Sequence, residues 1–594
     1  MIQGWLRPVR LWANSPWVGF WLCACVNALM MSFFWNRYVG VDLDGWFEAL
    51  AQQVLSGKVP YRDFFFWTTP AFVYQTAFFM KLLPDSLAWL HFTGALERCL
   101  LAGFLCRWLE TGLSGKWAVV ATLVSMSALN CDIDETLTFY TYDAMFWAVL
   151  AGFLSETART VRGYFIAGLS MAVCILMKHS VGIVVAPLLL VGLLWAGPDR
   201  PTRRQAMAWL LGLALPLLAF VVWLTLSSAW TPFLDQVVYA FRDGVSSKGT
   251  KAQILARVPS LYRASVPFVC LVCMAFLVLL ARVRSQGNVP TSIRWLAALT
   301  VVPAGLAALA FSTNLQQSRA LIPPIQCLIA LSPSYQAAGI GKLGSYLLLV
   351  WCLVRPVDRG LRIQSFVAAG ISVGLSLSWD LYGPMAVPGF ALLVALTLDR
   401  LSALGWLKLR GGLLVVLCGG YFGTLESKQI QPFAWGYWFE PPLWTSTVRS
   451  SVPDLSGMVL SPFTEDALSN LVRAIDGNSR PDEPILIFPR NPLFYWIAQR
   501  KPCTPNVVYE IDTVPDWVCD QDSEIVERQP PRLILLMIDA PDVDLRKDEV
   551  FRGGHQSGQV RFRDRLAALI GRSYELVYVT RGSGVPLQLW RLKG

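Results

Sequence analysis

Long apolar runs with almost no charge recur along this chain, and they restrict its fold more than any motif does. A segment such as WVGFWLCACVNALMMSFFW is long enough to cross a hydrocarbon core of roughly 30 Å as a helix. Backbone amides in lipid must be satisfied within their own segment, and these runs lack the period-two alternation of a membrane barrel, so helices are implied. With 55% hydrophobic residues against 15% charged, an ordinary soluble protein is excluded. The net charge of +10 invites a nucleic-acid reading. The basic residues, however, are spread over short loops between apolar runs, so membrane topology accounts for them and no nucleic-acid partner is expected.

About thirteen spans are expected, near 17–35, 86–106, 116–130, 142–155, 163–178, 181–197, 206–228, 264–283, 295–311, one within 320–355, 363–379, 385–398 and 411–426. Within 320–355, Pro323 and Pro324 leave room for a re-entrant or interfacial segment. Alternate loops are rich in basic residues, among them Arg107 and Lys116, Arg159 and Arg162, Arg203 and Arg204, and Arg359 and Arg362. The loops between them carry almost none, which puts the basic set in the cytoplasm and the N-terminus with it. Arg7 and Arg10 precede a first span too long for a cleavable leader, so an uncleaved anchor in the cytoplasmic (inner) membrane is expected.

The fold class expected is therefore mostly α: a polytopic helical bundle over 1–427, followed by a small extracytoplasmic α/β domain over 428–594. Two longer segments, 36–85 and 229–263, fall on the outer side. In the tail, ILIF and LILLMI read as short buried strands and YELVYVT with VPLQLWRL as a closing hairpin. TEDALSNLVRAID reads as an amphipathic helix with Thr464 as its N-cap. The tail has no glycine-rich phosphate loop, no Cys/His metal spacing and no nucleophile elbow, which suits support or recognition better than catalysis. Cys503 and Cys519, its only cysteines, could pair in an oxidising compartment.

The first outer loop holds the densest polar chemistry. Asp42 and Asp44 follow the first span, and GWFEALAQQVLSG then reads as a helix stopped by Gly57. Trp46, Phe47, Leu50, Ala51, Val54 and Leu55 give it an apolar face, which suits the membrane interface. Asp44 suits two roles at this point, a reactive carboxylate at the lipid boundary or the helix N-cap, with Glu48 adding charge to the first turn. A second acidic group, Asp132, Asp134 and Glu135, lies in a short loop on the same side and equally suits a solvated turn. The aromatics Phe64 to Trp67 suit interfacial anchoring or stacking on sugar. Glu97 and Arg98 sit mid-span and point about 100° apart, so each is expected to find its own partner across the bundle.

The outer acidic pair, the helix after it, the run Gly57-Lys58-Val59-Pro60-Tyr61-Arg62-Asp63, Thr69-Pro70, and the stretch from Gly168 to Lys178 together resemble the GT-C superfamily of membrane glycosyltransferases. The likeness is to its bacterial branch, related to protein mannosyltransferases and the lipid A aminoarabinose transferase. It covers most of the chain in architecture and about the first 180 residues in motif. It implies inverting transfer of a sugar from a polyprenyl-phosphate carrier to a glycan, lipid or protein acceptor on the outer face of the membrane. By position, Asp44 would be the general base, with Asp42 the second claimant, and Tyr61, Arg62 and Asp63 would belong to the substrate-binding loop. Relatives commonly show Asp-Glu where this chain has Asp44-Gly45, so a second carboxylate must come from Asp42, Glu48 or the second loop, or be absent.

Displacing a phosphate at an anomeric carbon calls for a base and for cations beside the departing group. Lys178 and His179, between the fifth and sixth spans, and Arg319 in an otherwise neutral outer loop are placed for the second role. Lys178 and Arg319 equally suit snorkelling to the headgroups, and His179 a plain boundary histidine. No metal-ligand spacing appears, although scattered carboxylates can assemble a divalent site. Two other readings stay open: an export component for a lipid-linked glycan, and a non-catalytic relative that binds polyprenyl lipids. The gathering of acidic residues at one face, without inverted repeats, favours the enzyme over the transporter.

Overall fold

A computed structural model describes residues 15–238 apart from 16, 133–135 and 195–199, scattered residues between 337 and 352, and 357–594 apart from 378–385, 436–437, 512, 538–547, 549–551, 553 and 581–585. The spans expected near 264–283 and 295–311, most of 320–355, most of the 229–263 loop, and Asp134, Glu135 and Arg319 lie outside the described residues.

Helices run over Val18–Met31, Leu87–Leu109, Gly115–Asn130, Tyr140–Thr157, Val161–Met177, His179–Leu194, Arg203–Leu226, Arg359–Leu377, Val387–Ala403 and Leu407–Ile430. Each overlaps an apolar run. Polar caps set several of their starts: Gln205 N donates to Thr202 Oγ1 at 3.3 Å while Thr202 N donates to Gln205 Oε1 at 2.8 Å, a reciprocal box. Among the described residues, Arg203–Leu226 is by itself long and apolar enough to cross a membrane, and Val18–Met31, Val161–Met177 and His179–Leu194 are shorter apolar helices.

The bundle is apolar on its outer face as well as in its core, and the polar side chains it buries are few beside the apolar ones. On the Arg203–Leu226 helix Leu218 is 61% and Leu226 81% exposed, and Leu29, Phe33 and Phe78 also face outward. Inside, Asn130 Nδ2 donates to Asn27 Oδ1 at 2.6 Å and Trp108 Nε1 to Glu156 Oε2 at 2.7 Å, tying helices together through hydrogen bonds. Arg98 donates to the Thr136 carbonyl at 2.6 Å and lies 3.8 Å over the Tyr142 ring, while Glu97 turns to Asp143. Both thus find partners across the bundle. Small residues let two helices meet backbone to backbone: a Cβ on Gly168 would come within 2.0 Å of the Trp209 carbonyl oxygen, and one on Gly212 within 2.1 Å of that of Phe165.

Two helices, not one, fill the first loop: Trp46–Leu55 and Ala71–Leu82. Gly57, at φ +88°, ends the first. That helix does not lie open on a lipid surface, because Trp46, Phe47, Ala49, Leu50, Ala51 and Gln53 are all buried. It is covered by the Ala71–Leu82 helix and by rings of the loop and bundle, Trp67, Phe72 and Tyr140 among them, with the Leu493–Ile497 segment of the tail packed against it as well.

In the tail a four-stranded sheet has the order Ile485–Phe488, Leu533–Met537, Leu587–Leu592, Tyr574–Val579. The first pair is parallel and the other two pairs antiparallel, with Ile485 opposite Leu533 and Leu535 opposite Leu589. Parallel neighbours need a crossover, and the Asp516–Arg528 helix lies in it. The amphipathic helix spans Pro462–Asn478, and its N-cap is Ser461, whose Oγ accepts from Thr464 N at 3.0 Å. Thr464 instead donates its hydroxyl to Glu440, because proline at the first helical position moves the start upstream. Cys503 and Cys519 carry free thiols, which corrects the pairing considered for them.

The tail is packed on the loop. Asn36 donates to the Gly457 carbonyl at 2.8 Å and accepts from Val459 N at 2.8 Å, and Ser446 Oγ donates to the Arg37 carbonyl at 3.0 Å. Phe65, from the loop, is buried in the tail's own apolar cluster with Phe488, Tyr509 and Phe562. Phe64 and Phe66 are buried as well, so these rings are neither lipid anchors nor open sugar platforms.

Candidate functional site

Beyond the first helix the chain closes a tight loop on itself. Asp44 N donates to the Gly40 carbonyl at 2.6 Å, and Gly40 N donates back to Asp44 Oδ2 at 2.7 Å. The N-cap of the following helix is Gly45, at φ +94°, and not Asp44. Asp44 is freed from capping and turned inward, where its Oδ1 meets His91 Nε2 at 3.0 Å; both side chains are 0% exposed. His91, in the second turn of Leu87–Leu109, faces the Trp35 carbonyl through Nδ1 at 2.9 Å.

Two further buried carboxyls stand around this pair. Glu48 Oε2 accepts from Gly45 N at 2.8 Å. Burial first, and the nearby Asp44 second, push its carboxyl up to about 7. Glu440, from the tail, accepts from Trp438 Nε1 at 2.9 Å and from Thr464 Oγ1 at 2.7 Å, with Val39 N at 3.4 Å. Burial pushes it too up to about 7. Carboxyls held near neutrality at a buried junction are the kind of group that acid–base chemistry uses.

Asp42 points elsewhere. It meets Arg490 Nη1 at 3.2 Å, and Arg490 Nη2 donates to Glu510 at 2.5 Å, so the second claimant for the base is an anchor for the tail. Asp132 is buried rather than solvated, and its backbone carbonyl accepts from Lys428 Nζ. Lys428, itself buried, lies 4.4 Å over the Tyr38 ring, which in turn stands 5.8 Å from His91.

The remaining expected residues form a second neighbourhood. Lys178 is buried, donates to Thr141 Oγ1 at 2.7 Å and lies 4.4 Å over Tyr140, so it does not snorkel. His179 Nδ1 faces Thr68 Oγ1 at 3.4 Å. Tyr61, at φ 70°, donates its hydroxyl to the Thr68 carbonyl at 2.6 Å. Arg62 pairs with Asp63 at 2.8 Å, and Asp63 also accepts from Val59 N at 2.7 Å, so these two shape the loop. Phe47, 5.3 Å from Tyr140, and Trp46, 4.5 Å from Trp67, link the two neighbourhoods by a layer of rings.

The structure thus brings Asp44 and Glu48 together and leaves Lys178 and His179 across the aromatic layer. His91, Glu440, Arg490 and Lys428 complete the first group, and none of them stood out in the sequence. A lone histidine or lysine at the end of an apolar run was the available signal, since a polar group there needs a partner. Among the described residues no group of three or more His, Cys, Asp or Glu is placed to hold a metal ion.

Among solved structures the chain is similar to ArnT from Cupriavidus metallidurans in complex with undecaprenyl phosphate, at 14% identity and a TM-score of 0.41, over 99% of this chain and 98% of that one. It is similar to the apo form of the same protein at 14% identity and a TM-score of 0.42, over 97% and 98% of the two chains. No family model matches the sequence, and no curated protein matches it.

Proposed function

We propose that this chain is a membrane-embedded glycosyltransferase that moves a sugar from a polyprenyl-phosphate carrier to a hydroxyl-bearing acceptor at the outer face of the cytoplasmic membrane. The observation that carries the reading is the meeting of Asp44 and Glu48, 0% and 2% exposed, at one end of a bundle whose outer surface is apolar. A carboxylate there can accept the proton of an incoming hydroxyl while the low-dielectric surroundings strengthen every charge involved. The buried cations Lys428, over Tyr38, and Lys178, over Tyr140, supply positive potential where a lipid phosphate would depart. The GT-C-like motifs of the first 180 or so residues support the same reading, and the exposed leucines and phenylalanines support residence in a bilayer.

The test uses the full chain purified in detergent. Lipid that co-purifies is identified by mass spectrometry, and the protein is incubated with undecaprenyl phosphate esters of glucose, mannose, galactose or arabinose. Protein-dependent release of undecaprenyl phosphate is expected from at least one of them. A chain that carries only phospholipid and releases no undecaprenyl phosphate from any donor is not this enzyme.

A further inference from the structure

We propose that Glu48 is the group that takes the acceptor's proton, and that Asp44 with His91 is the positioning pair beside it. This rests on the glycosyltransferase reading above and departs from the motif-based assignment of the base to Asp44.

Hydrogen-bond geometry separates the two carboxyls. The Trp35 carbonyl can only accept, so His91 Nδ1 carries a hydrogen, and the single proton between Nε2 and Asp44 Oδ1 belongs to the pair whichever atom holds it. The other oxygen of Asp44 receives the Gly40 amide. Both oxygens of Asp44 thus already face a partner, Oδ1 the His91 ring and Oδ2 the Gly40 amide. Glu48 differs. Its carboxyl is held by backbone amides alone, that of Gly45 on Oε2 and its own, and among the described residues no side chain donates to it.

The surroundings of Glu48 suit a group that alternates between two charge states. Its place in the first turn of Trp46–Leu55 favours the anion, because unpaired amides and the helix dipole present positive charge there. Burial and the nearby Asp44 favour the acid, and His91 offsets part of that. A carboxyl balanced near neutrality is better matched to proton abstraction than one held strongly to either side.

In the step itself, the acceptor oxygen bonds to the anomeric carbon as the bond from that carbon to the phosphate oxygen breaks. The bonding pair leaves with the lipid phosphate. The hydroxyl proton passes to the Glu48 carboxylate and from there to solvent.

Glu48→Gln, Glu48→Asp and Asp44→Asn are compared with wild type by the rate of undecaprenyl phosphate release from the donor esters named above, each as a function of pH. Glutamine keeps an acceptor for the Gly45 amide, and thermal melting checks that each variant is folded. Glu48→Gln is expected to lose about 100- to 10,000-fold at every pH, with partial recovery in Glu48→Asp. Asp44→Asn is expected to be slower and to move the acidic limb of the profile to lower pH, because a charge that holds the proton on Glu48 has gone. Folded Glu48→Gln with wild-type turnover, or an acidic limb in Asp44→Asn that stays in place, overturns the assignment while leaving the glycosyltransferase reading intact. A wild-type chain that turns over none of the donors removes both.

Discussion

At Gly45 the backbone holds φ +94°, and an added Cβ would lie 2.1 Å from the Leu493 Cα. A left-handed conformation and a backbone neighbour act together there, so nothing larger fits without moving the tail. Gly45→Ala is expected to destabilise the chain by about 2 kcal/mol or more, read as a lower melting temperature in detergent. An unchanged melt would mean that the tail does not press on the loop. Glu440 makes a second prediction. Its carboxyl is raised from 4.5 to about 7 by burial, so between those values the folded chain holds a proton that the unfolded chain has released. The stabilisation is full below about pH 4.5 and is lost as pH rises to about 7. The melting temperature should fall from about pH 5 to about pH 7.5, and Glu440→Gln should reduce that slope, leaving the part due to Glu48, Asp454 and Asp522, which burial shifts the same way. A slope unaltered by the substitution would detach Glu440 from it. Asp42, Asp44 and Glu48 were legible as an acidic group after the first apolar run. Which of them faces a histidine, an arginine or a helix amide was not, because those partners lie at His91, Arg490 and Gly45 and only folding places them.

At the scale of elements, Arg490 joins the tail to the loop. It follows the Ile485–Phe488 strand and stands between Asp42 and Glu510, with only 8% of its side chain exposed. Arg490→Met leaves two buried carboxyls without their cation, which costs about 3–5 kcal/mol. The expected readout is faster proteolytic release of the tail from the detergent-solubilised chain, with little recovery in Arg490→Lys, whose single ammonium cannot span two carboxylates. Protection equal to wild type would make the ion pair incidental. Element starts show where sequence reading succeeds and fails. Trp46–Leu55 was readable because its apolar residues repeat at helical spacing and Gly57 ends it. Ala71–Leu82 was missed because AFVYQTAFFMKL is apolar on nearly every side and shows no periodic face. The Pro462–Asn478 start was misplaced by three residues, although the serine before Pro462 was the better cap signal.

For the molecule as a whole, the apolar exterior makes a direct prediction. Leu218→Arg puts a charge on the outward face of Arg203–Leu226, where a membrane setting would cost about 2.5–3.5 kcal/mol. Insertion efficiency of that segment, measured by glycosylation-site mapping, should drop, whereas the buried-face change Ala208→Ser should leave it nearly unaltered. Equal insertion for the Leu218 variant would argue against lipid contact on that face. By itself the sequence determined that this is a helical, lipid-compatible bundle with a small strand-containing tail, because hydrophobic runs and their periodicity are local properties. Only the tertiary structure decided what the acidic loop becomes. The contacts that define it join residues 47, 401 and 448 positions apart, Asp44 with His91, Val39 with Glu440 and Asp42 with Arg490. No local pattern encodes such separations; the Leu87–Leu109 helix sets the first and the packing of the tail over the first loop sets the other two, and together they decide what each carboxyl faces.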